Sequence, residues 1–513
     1  MKLSQKTRYI YTAFWLFVLF LFWRAILCIN FSKNPYYYCT DMYSDILYAA
    51  EVWSNGTIFP EGWVFGNQLY CVATPVLAAL FYGIVKDPCI TMGIAATLMG
   101  IGVVVSFSWM LKPVFTKLHE RLAAICVFMT VVLLCGDPIY LVNGWQLFFT
   151  MCSYYACYAI TAFLAIGCYI RSSSKWTASL YFPLIICCAL SFGTGIQSMR
   201  QTAVMTIPLI AVECLKRLYS IVKKAEYSSK PMWVAGIIGI SNISGVLVSS
   251  LIPVEKNEIF GALNIGFPAD FLNSLISSSS VPFTLFSSFS QVAIILFFVV
   301  CICSVIYFFQ NQNWSDNAFF TCLLLHIVSI VVIFGISLFT KMYIREIYYF
   351  MLYPLAAIVI TFVYSRFRNV SKLLIVILII VTLPYCNRKL DYYVCPPANN
   401  HPIQQISDYL EKQEIGTVYS HWNFGEKIAI ASDYRIRVGF WDYRLDVFES
   451  VKYICNPSVF DVDPSKCAYV VQGKETYDKA IEVAWSRGVK LNLMQHFPEQ
   501  DIYIFCANQK LMK

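Results

Sequence analysis

Twelve apolar runs occupy the first 385 residues, at 9 to 29, 69 to 86, 89 to 111, 122 to 142, 146 to 170, 177 to 195, 201 to 215, 232 to 252, 287 to 309, 318 to 340, 347 to 365 and 372 to 385. Several reach the roughly 20 residues with which an α-helix crosses a hydrocarbon core. A water-soluble globule cannot hide so many. With 58% hydrophobic and 13% charged residues, the chain also lacks the charge to coat a soluble body of 513 residues. It reads as a polytopic membrane protein. The N-terminal MKLSQKTRY before IYTAFWLFVLFLFW has the outline of a secretory signal, but the apolar run is too long and no small-residue cleavage site follows. It reads as a retained first span.

Orientation follows from the connectors. KPVFTKLHER at 112 to 121, RSSSK at 171 to 175, KRLYSIVKKAEYSSK at 216 to 230 and SRFRNVSK at 365 to 372 are basic, which assigns them and the N-terminus to the cytoplasmic side. The return to Lys112 requires an even number of crossings, yet three runs precede it. The short run 69 to 86, with Thr74, Pro75 and Gly83, is therefore expected to dip or lie along the outer leaflet. The expectation is about eleven spans, a membrane domain over 1 to 385 with an acidic first outer loop at 30 to 68, and an extracytoplasmic remainder.

That remainder, 386 to 513, changes character. Helical periodicity at 403 to 414, 424 to 431 and TYDKAIEVAWSRG alternates with short β-type runs, GTVYS, RIRVGF, CAYVVQG, VKLNLMQHF and DIYIFCA. These predict a small soluble α/β domain. Five of the 20 cysteines lie in it, Cys386, Cys395, Cys455, Cys467 and Cys506, and an outside location permits one or two disulfides among them. None has zinc spacing and the five histidines are scattered, so no metal site is expected. The net charge of +8 belongs mainly to the connectors, and no basic stripe points to nucleic acid.

The first loop carries the chemistry. In YYYCTDMYSDILYAAEVWSNGTIFPEGWVFGNQL, Asp41 and Asp45 stand four apart, so a helix begun by DMYSDILYAAEVW presents both on one face. Glu51, Glu61, Asp137, Arg200, Lys341, Arg345 and Glu346 fall near the same outer boundary, while the span centres read as nearly free of charge. Charge at membrane depth is costly and tends to be functional. Carboxylates and arginines at one lipid–water boundary suit a reaction on a lipid-linked phosphate. A carboxylate takes the proton of an attacking hydroxyl, and arginine neutralises charge on the departing phosphate.

DMYSD followed by WVFGNQL resembles the first loop of the GT-C glycosyltransferases, multi-spanning enzymes that use polyprenyl-phosphate sugars. The chain is similar to bacterial relatives of the protein O-mannosyltransferases and the aminoarabinose transferases. DPIYLVNGWQLFFT, GIQSMRQTAVMTIPL and YIREIYYFMLYPLAAI add to the resemblance, as does YSHWNFGEKIAIASDYRIRV in the tail. It implies an inverting transfer at the outer face of a bacterial plasma membrane, from a polyprenyl-phosphate-linked sugar to a glycan, lipid or protein acceptor. Asp41, with Asp45 second, matches the catalytic first-loop aspartate, which acts as base or through a divalent metal. Arg200 and Arg345 match the arginines that meet the donor phosphate. Trp63, Asn67, Gln68 and Glu346 are further candidate substrate contacts. The oligosaccharyltransferase type of metal motif is missing, and the acids are spaced rather than adjacent.

Plainer roles compete with each assignment. Asp41 fits a helix cap, Arg200 the mouth of a span, Arg345 and Glu346 a local ion pair, and Trp63 an interfacial anchor. Trp441 suits core packing as well as stacking on sugar. The rival functions are a transporter or flippase, and a polymerase, of lipid-linked saccharides.

Overall fold

The structure, a computed structural model, describes residues 5–32, 40–66, 68–134, 144–151, 153–173, 176, 178–224, 228–256, 271–284, 299, 318–340, 346–366, 402–421, 424–441 and 448–512. Helices dominate the first three quarters of the chain. They are α1 (Gln5–Asn30), α2 (Thr40–Asn55), α3 (Thr74–Tyr82), α4 (Pro88–Leu111), α5 (Leu118–Leu134), α6 (Trp145–Phe148), α7 (Ala156–Ser172), α8 (Ala178–Gln197), α9 (Ile207–Lys223), α10 (Lys230–Leu251), α11 (Phe271–Thr284), α12 (Ala318–Phe339) and α13 (Leu352–Arg366). Among the described residues, five segments are long and apolar enough to cross a membrane: Arg8–Asn30, Pro88–Leu111, Ser179–Gln197, Lys230–Leu251 and Ala318–Phe339. The runs 287 to 309 and 372 to 385 lie outside the described residues, Val299 excepted.

The run 69 to 86 contributes only α3. Its nine residues extend about 14 Å, half a hydrocarbon core. The run 146 to 170, expected as one span, is instead α6, a turn and α7. Met151 and Ser153 adopt positive φ there, and the side chain of Asn30 holds the turn. Asn30 Oδ1 accepts from Met151 N at 2.9 Å, and Nδ2 donates to Phe149 O at 3.0 Å.

Helices α8 and α10 pack closely because small residues face each other. A Cβ on Gly245 would lie 2.1 Å from the carbonyl oxygen of Phe192, and one on Gly195 would lie 2.2 Å from that of Asn242. Lipid supplies no hydrophobic drive between helices, so such backbone contact is what binds them. Between α8 and α9, residues Thr202–Thr206 form a π-helical turn, which Asn242 braces by accepting from Thr202 Oγ1 at 2.7 Å and Thr206 Oγ1 at 3.0 Å.

The connector expected from 216 is in fact the continuation of α9 to Lys223. Glu213 and Lys216 are consequently buried inside the bundle, a departure from charge-free spans. Tyr169 of α7 donates its hydroxyl to Glu213, and Lys216 donates to Thr321 Oγ1 of α12 at 3.1 Å. Burial is tolerable because each charge has a polar partner.

The C-terminal segment forms a three-layer α/β unit. Strands β1 (Thr417–His421), β2 (Arg437–Trp441), β3 (Cys467–Gln472), β4 (Leu491–Phe497) and β5 (Ile502–Ala507) are ordered β2-β1-β3-β5-β4. Pairing is parallel from β2 to β3 and antiparallel beyond. Alternate residues point to opposite faces. Val418, Val470 and Ile504 pack with Ile406, Leu410 and Ile428 of helices α14 (Pro402–Lys412) and α15 (Gly425–Ala431), while Tyr419, Tyr469 and Phe505 pack with Ala480 and Ala484 of α16 (Lys474–Ser486). Cys455, Cys467 and Cys506 are free thiols, and Cys386 and Cys395 lie outside the described residues.

Edge strand β2 lies against the first loop. Val438 N donates to Tyr43 Oη of α2 at 3.1 Å, Ile454 N to Val64 O at 2.7 Å and Val64 N to Cys455 O at 3.0 Å. An edge left open would invite foreign strands. Here Tyr43 of α2 takes one edge N–H, and Ser450 and Val451 beyond β2 bridge its end at Trp441 and Phe440.

The α8–α10 contact yields a prediction. Gly245→Val places side-chain atoms where the Phe192 carbonyl stands, and overpacking of this kind costs about 1–3 kcal/mol or more. A thermal-unfolding midpoint in detergent well below that of the wild type is expected, and an unchanged midpoint refutes the packing.

Candidate active site

Two faces divide helix α2. Thr40, Tyr43 and Leu47, spaced three and four apart, turn toward the C-terminal unit, where Tyr43 stacks on Tyr434 at 5.8 Å and meets Phe440 edge-on at 5.6 Å. Asp41, Asp45 and Tyr48 share the other face. The tyrosine is the hub of the first loop. Its ring lies among Trp63 (5.4 Å), Phe65 (5.8 Å) and Tyr70 (4.8 Å), and its hydroxyl donates to Ile58 O at 2.6 Å. Burial above all, with Cys71 and Asp45 nearby, raises the pKa of this phenol.

The two aspartates differ in setting. Asp41 lies in the first turn of α2, where its charge complements the helix dipole, and it is exposed. Asp45, one turn on, is 3% exposed. The sequence placed both on one face; only packing separated an open carboxylate from an enclosed one.

After the Tyr48 hub the chain passes Gln68 and meets the end of α8. Gln197 fastens it there. Its Oε1 accepts from Cys71 N at 3.3 Å and Val72 N at 3.2 Å, its Nε2 donates to Tyr158 Oη at 3.0 Å, and its carbonyl accepts from Leu69 N at 3.0 Å. Arg200, three residues further, donates from Nη1 to Gln68 Oε1 at 3.1 Å. Its guanidinium carbon sits 5.3 Å, 5.9 Å and 5.0 Å from the ring centroids of Tyr155, Tyr158 and Tyr348. No carboxylate lies within ion-pair distance of Arg200 among the described residues. A guanidinium does not lose its proton. Among the described residues the result is a cation held by three tyrosines and one amide oxygen, with no carboxylate partner, at the end of the bundle that carries the first loop.

The other sequence candidates divide as follows. Gln68 touches Arg200. Trp63 is enclosed by protein, 3% exposed and packed on Tyr48. Glu346 opens the 3-10 helix Glu346–Tyr349, whose Tyr348 covers Arg200. Asn67 and Arg345 lie outside the described residues. Trp441 is a core residue, 1% exposed and edge-on to Phe448. Among the described residues no cluster of three or more His, Cys, Asp or Glu side chains could hold a metal. Sequence reading missed Tyr155, Tyr158, Tyr348 and Gln197. The hint was present only as aromatic-rich SYYACY and as a glutamine three residues before an arginine at a span end.

Comparison with solved structures fixes the architecture. ArnT from Cupriavidus metallidurans, in its apo state, superposes with a TM-score of 0.55 at 10% identity, covering 97% of this chain and 99% of that one. The chain shares the fold of that protein. The Archaeoglobus fulgidus oligosaccharyltransferase tethered to an acceptor peptide aligns at TM-score 0.43 and 10% identity over 97% of this chain and 74% of its own, and its complex with zinc and sulfate at 0.38 and 11% over 91% and 70%. No protein-family model matches the sequence, and no curated protein matches it.

The role of Gln197 is testable without substrate. Gln197→Leu strips two backbone N–H groups of their acceptor and removes the donor to the Tyr158 hydroxyl, at about 1–3 kcal/mol for a buried group left unpaired. Its thermal midpoint is expected to fall, whereas Gln197→Glu, which keeps the acceptor, recovers part of the loss. Wild-type stability in Gln197→Leu contradicts the assignment.

Proposed function

We propose that the protein is an integral-membrane glycosyltransferase that moves a sugar from a polyprenyl-phosphate-linked donor to a glycan, lipid or protein acceptor. The observation that carries this reading is Arg200, which has no carboxylate partner among the described residues, beside Gln68 and three tyrosines, in a chain that shares the fold of a GT-C enzyme. An anionic headgroup complements such a cup. Basic residues at the opposite helix ends, among them Lys112, Lys117, Arg171, Lys223 and Lys230, support a reading in which that end is cytoplasmic and the first loop, with the C-terminal unit, is extracytoplasmic.

The chemistry needs one base and one cation. A first-loop aspartate removes the proton from an acceptor hydroxyl or amine, whose lone pair attacks the anomeric carbon as the bond to the phosphate oxygen breaks. The electron pair of that bond leaves on the phosphate, where Arg200 offsets the added charge. A single displacement inverts the anomeric centre. Between the aspartates, we assign the base to Asp45, which lies one turn from Tyr48 and the segment leading to Gln68, and give Asp41 the solvent-side approach of the acceptor.

Transfer from a panel of polyprenyl-phosphate sugars, measured with correctly inserted protein, tests the scheme. Asp45→Asn is expected to lower the rate about 10²–10⁴-fold, the usual worth of a general base, and Asp41→Asn less. Arg200→Gln is expected to raise the donor KM and lower kcat together. Full transfer by both aspartate variants sinks the proposal.

A further inference from the structure

Glu426, at the start of α15, is fully buried where the C-terminal unit meets α2. Its Oε2 accepts from Thr40 Oγ1 at 3.4 Å. Its Oε1 has no hydrogen-bond partner among the described residues. Burial outweighs the support that its own backbone N–H and Thr40 give the ionised form, so a carboxylate here is costly, whereas a neutral carboxyl is far less so. The charged neighbours do not cancel it. Lys427 on its own helix favours ionisation and Asp41 on α2 opposes it, while Arg437 of β2 and Glu426 act in opposite senses on the Tyr43 phenol between them. Tyr43 is the side chain that receives the edge-strand N–H of Val438. Glu426 thus sits within the seam that docks the C-terminal unit on the helix of Asp41 and Asp45.

We propose that the carboxyl group of Glu426 is a proton-operated latch on this seam, seated against the first turn of α2 when neutral and loosening the dock when ionised. Glu426 acts here as a positioning residue for α2, and the latch stands whether or not the transfer reaction does. Burial lifts its pKa to about 7 when docked, against an ordinary carboxyl value near 4.5 when the seam is open and the group is in water. The docked state therefore binds the extra proton between those values. Docking is strongest below the lower value, weakens as pH rises through the interval, and bears the full penalty above about 7, a change on the order of a hundredfold in the docking equilibrium.

Hydrogen–deuterium exchange of the full chain in detergent reads this directly. After correction for intrinsic pH dependence, the Val438, Ile454 and Val64 amides, each bonded across the seam, are expected to lose at least about tenfold in protection as pH rises through the interval. Strands β3 and β5, away from the seam, are expected to hold theirs. Glu426→Gln, a permanent mimic of the neutral acid, is expected to make seam protection independent of pH. Asp41→Asn, which removes the opposing charge and leaves α15 intact, is expected to move the transition to lower pH. Seam protection independent of pH in the wild type overturns the latch, as does a wild-type pH response retained in Glu426→Gln.

Discussion

The end of the bundle that carries the first loop departs from regular helix at several points among the described residues, and buried amide side chains tie them down. Asn30 holds the turn between α6 and α7, Gln197 holds the extended segment 69 to 72, and Asn242 braces the π-helical turn after Arg200. Irregular backbone at membrane depth survives only where its polar groups find partners. Asn30 and Gln197 supply such partners, while Asn242 ties the π-turn through the Thr202 and Thr206 hydroxyls. The geometry of the candidate site depends on it, because Gln68, Tyr155, Tyr158 and Arg200 all belong to the segments so held.

The same constraint explains why the site forms at breaks rather than along helices. A continuous helix spends its amides on itself and directs its side chains toward lipid or core. Where α8 stops at Gln197 and α9 starts beyond a π-turn, an arginine can project beneath tyrosines from two other segments. Local π geometry recurs at functional positions. The close approach of α8 and α10 through Gly195 and Gly245 keeps that junction fixed.

Helix α2 couples the two parts of the molecule. Its Thr40–Tyr43–Leu47 face seals the edge of the C-terminal sheet, and its Asp41–Asp45–Tyr48 face looks into the first loop. Any loosening on one face is transmitted to the other, because a helix turns as a rigid rod over so short a length. The C-terminal unit is thereby more than a neighbour of the first loop. It completes a hydrophobic contact that α2 cannot bury alone, and Tyr43 of α2 in turn accepts an edge N–H of β2.

The sequence by itself determined whatever periodicity and length can encode. The long apolar helices, the shared face of Asp41 and Asp45 and the described strands of the tail follow from local pattern, which needs no partner to be read. It misjudged 146 to 170, because hydropathy does not register a turn that a distant asparagine stabilises. It also misread 216 to 223, since the partners that let Glu213 and Lys216 stay buried, Tyr169 and Thr321, lie on other helices. The tyrosines around Arg200, the staple of Gln197 and the seam at Tyr43 and Glu426 join residues separated by 40 to nearly 400 positions. Only tertiary structure decides such pairs, because burial and hydrogen-bond satisfaction belong to the assembled neighbourhood and not to any stretch of chain.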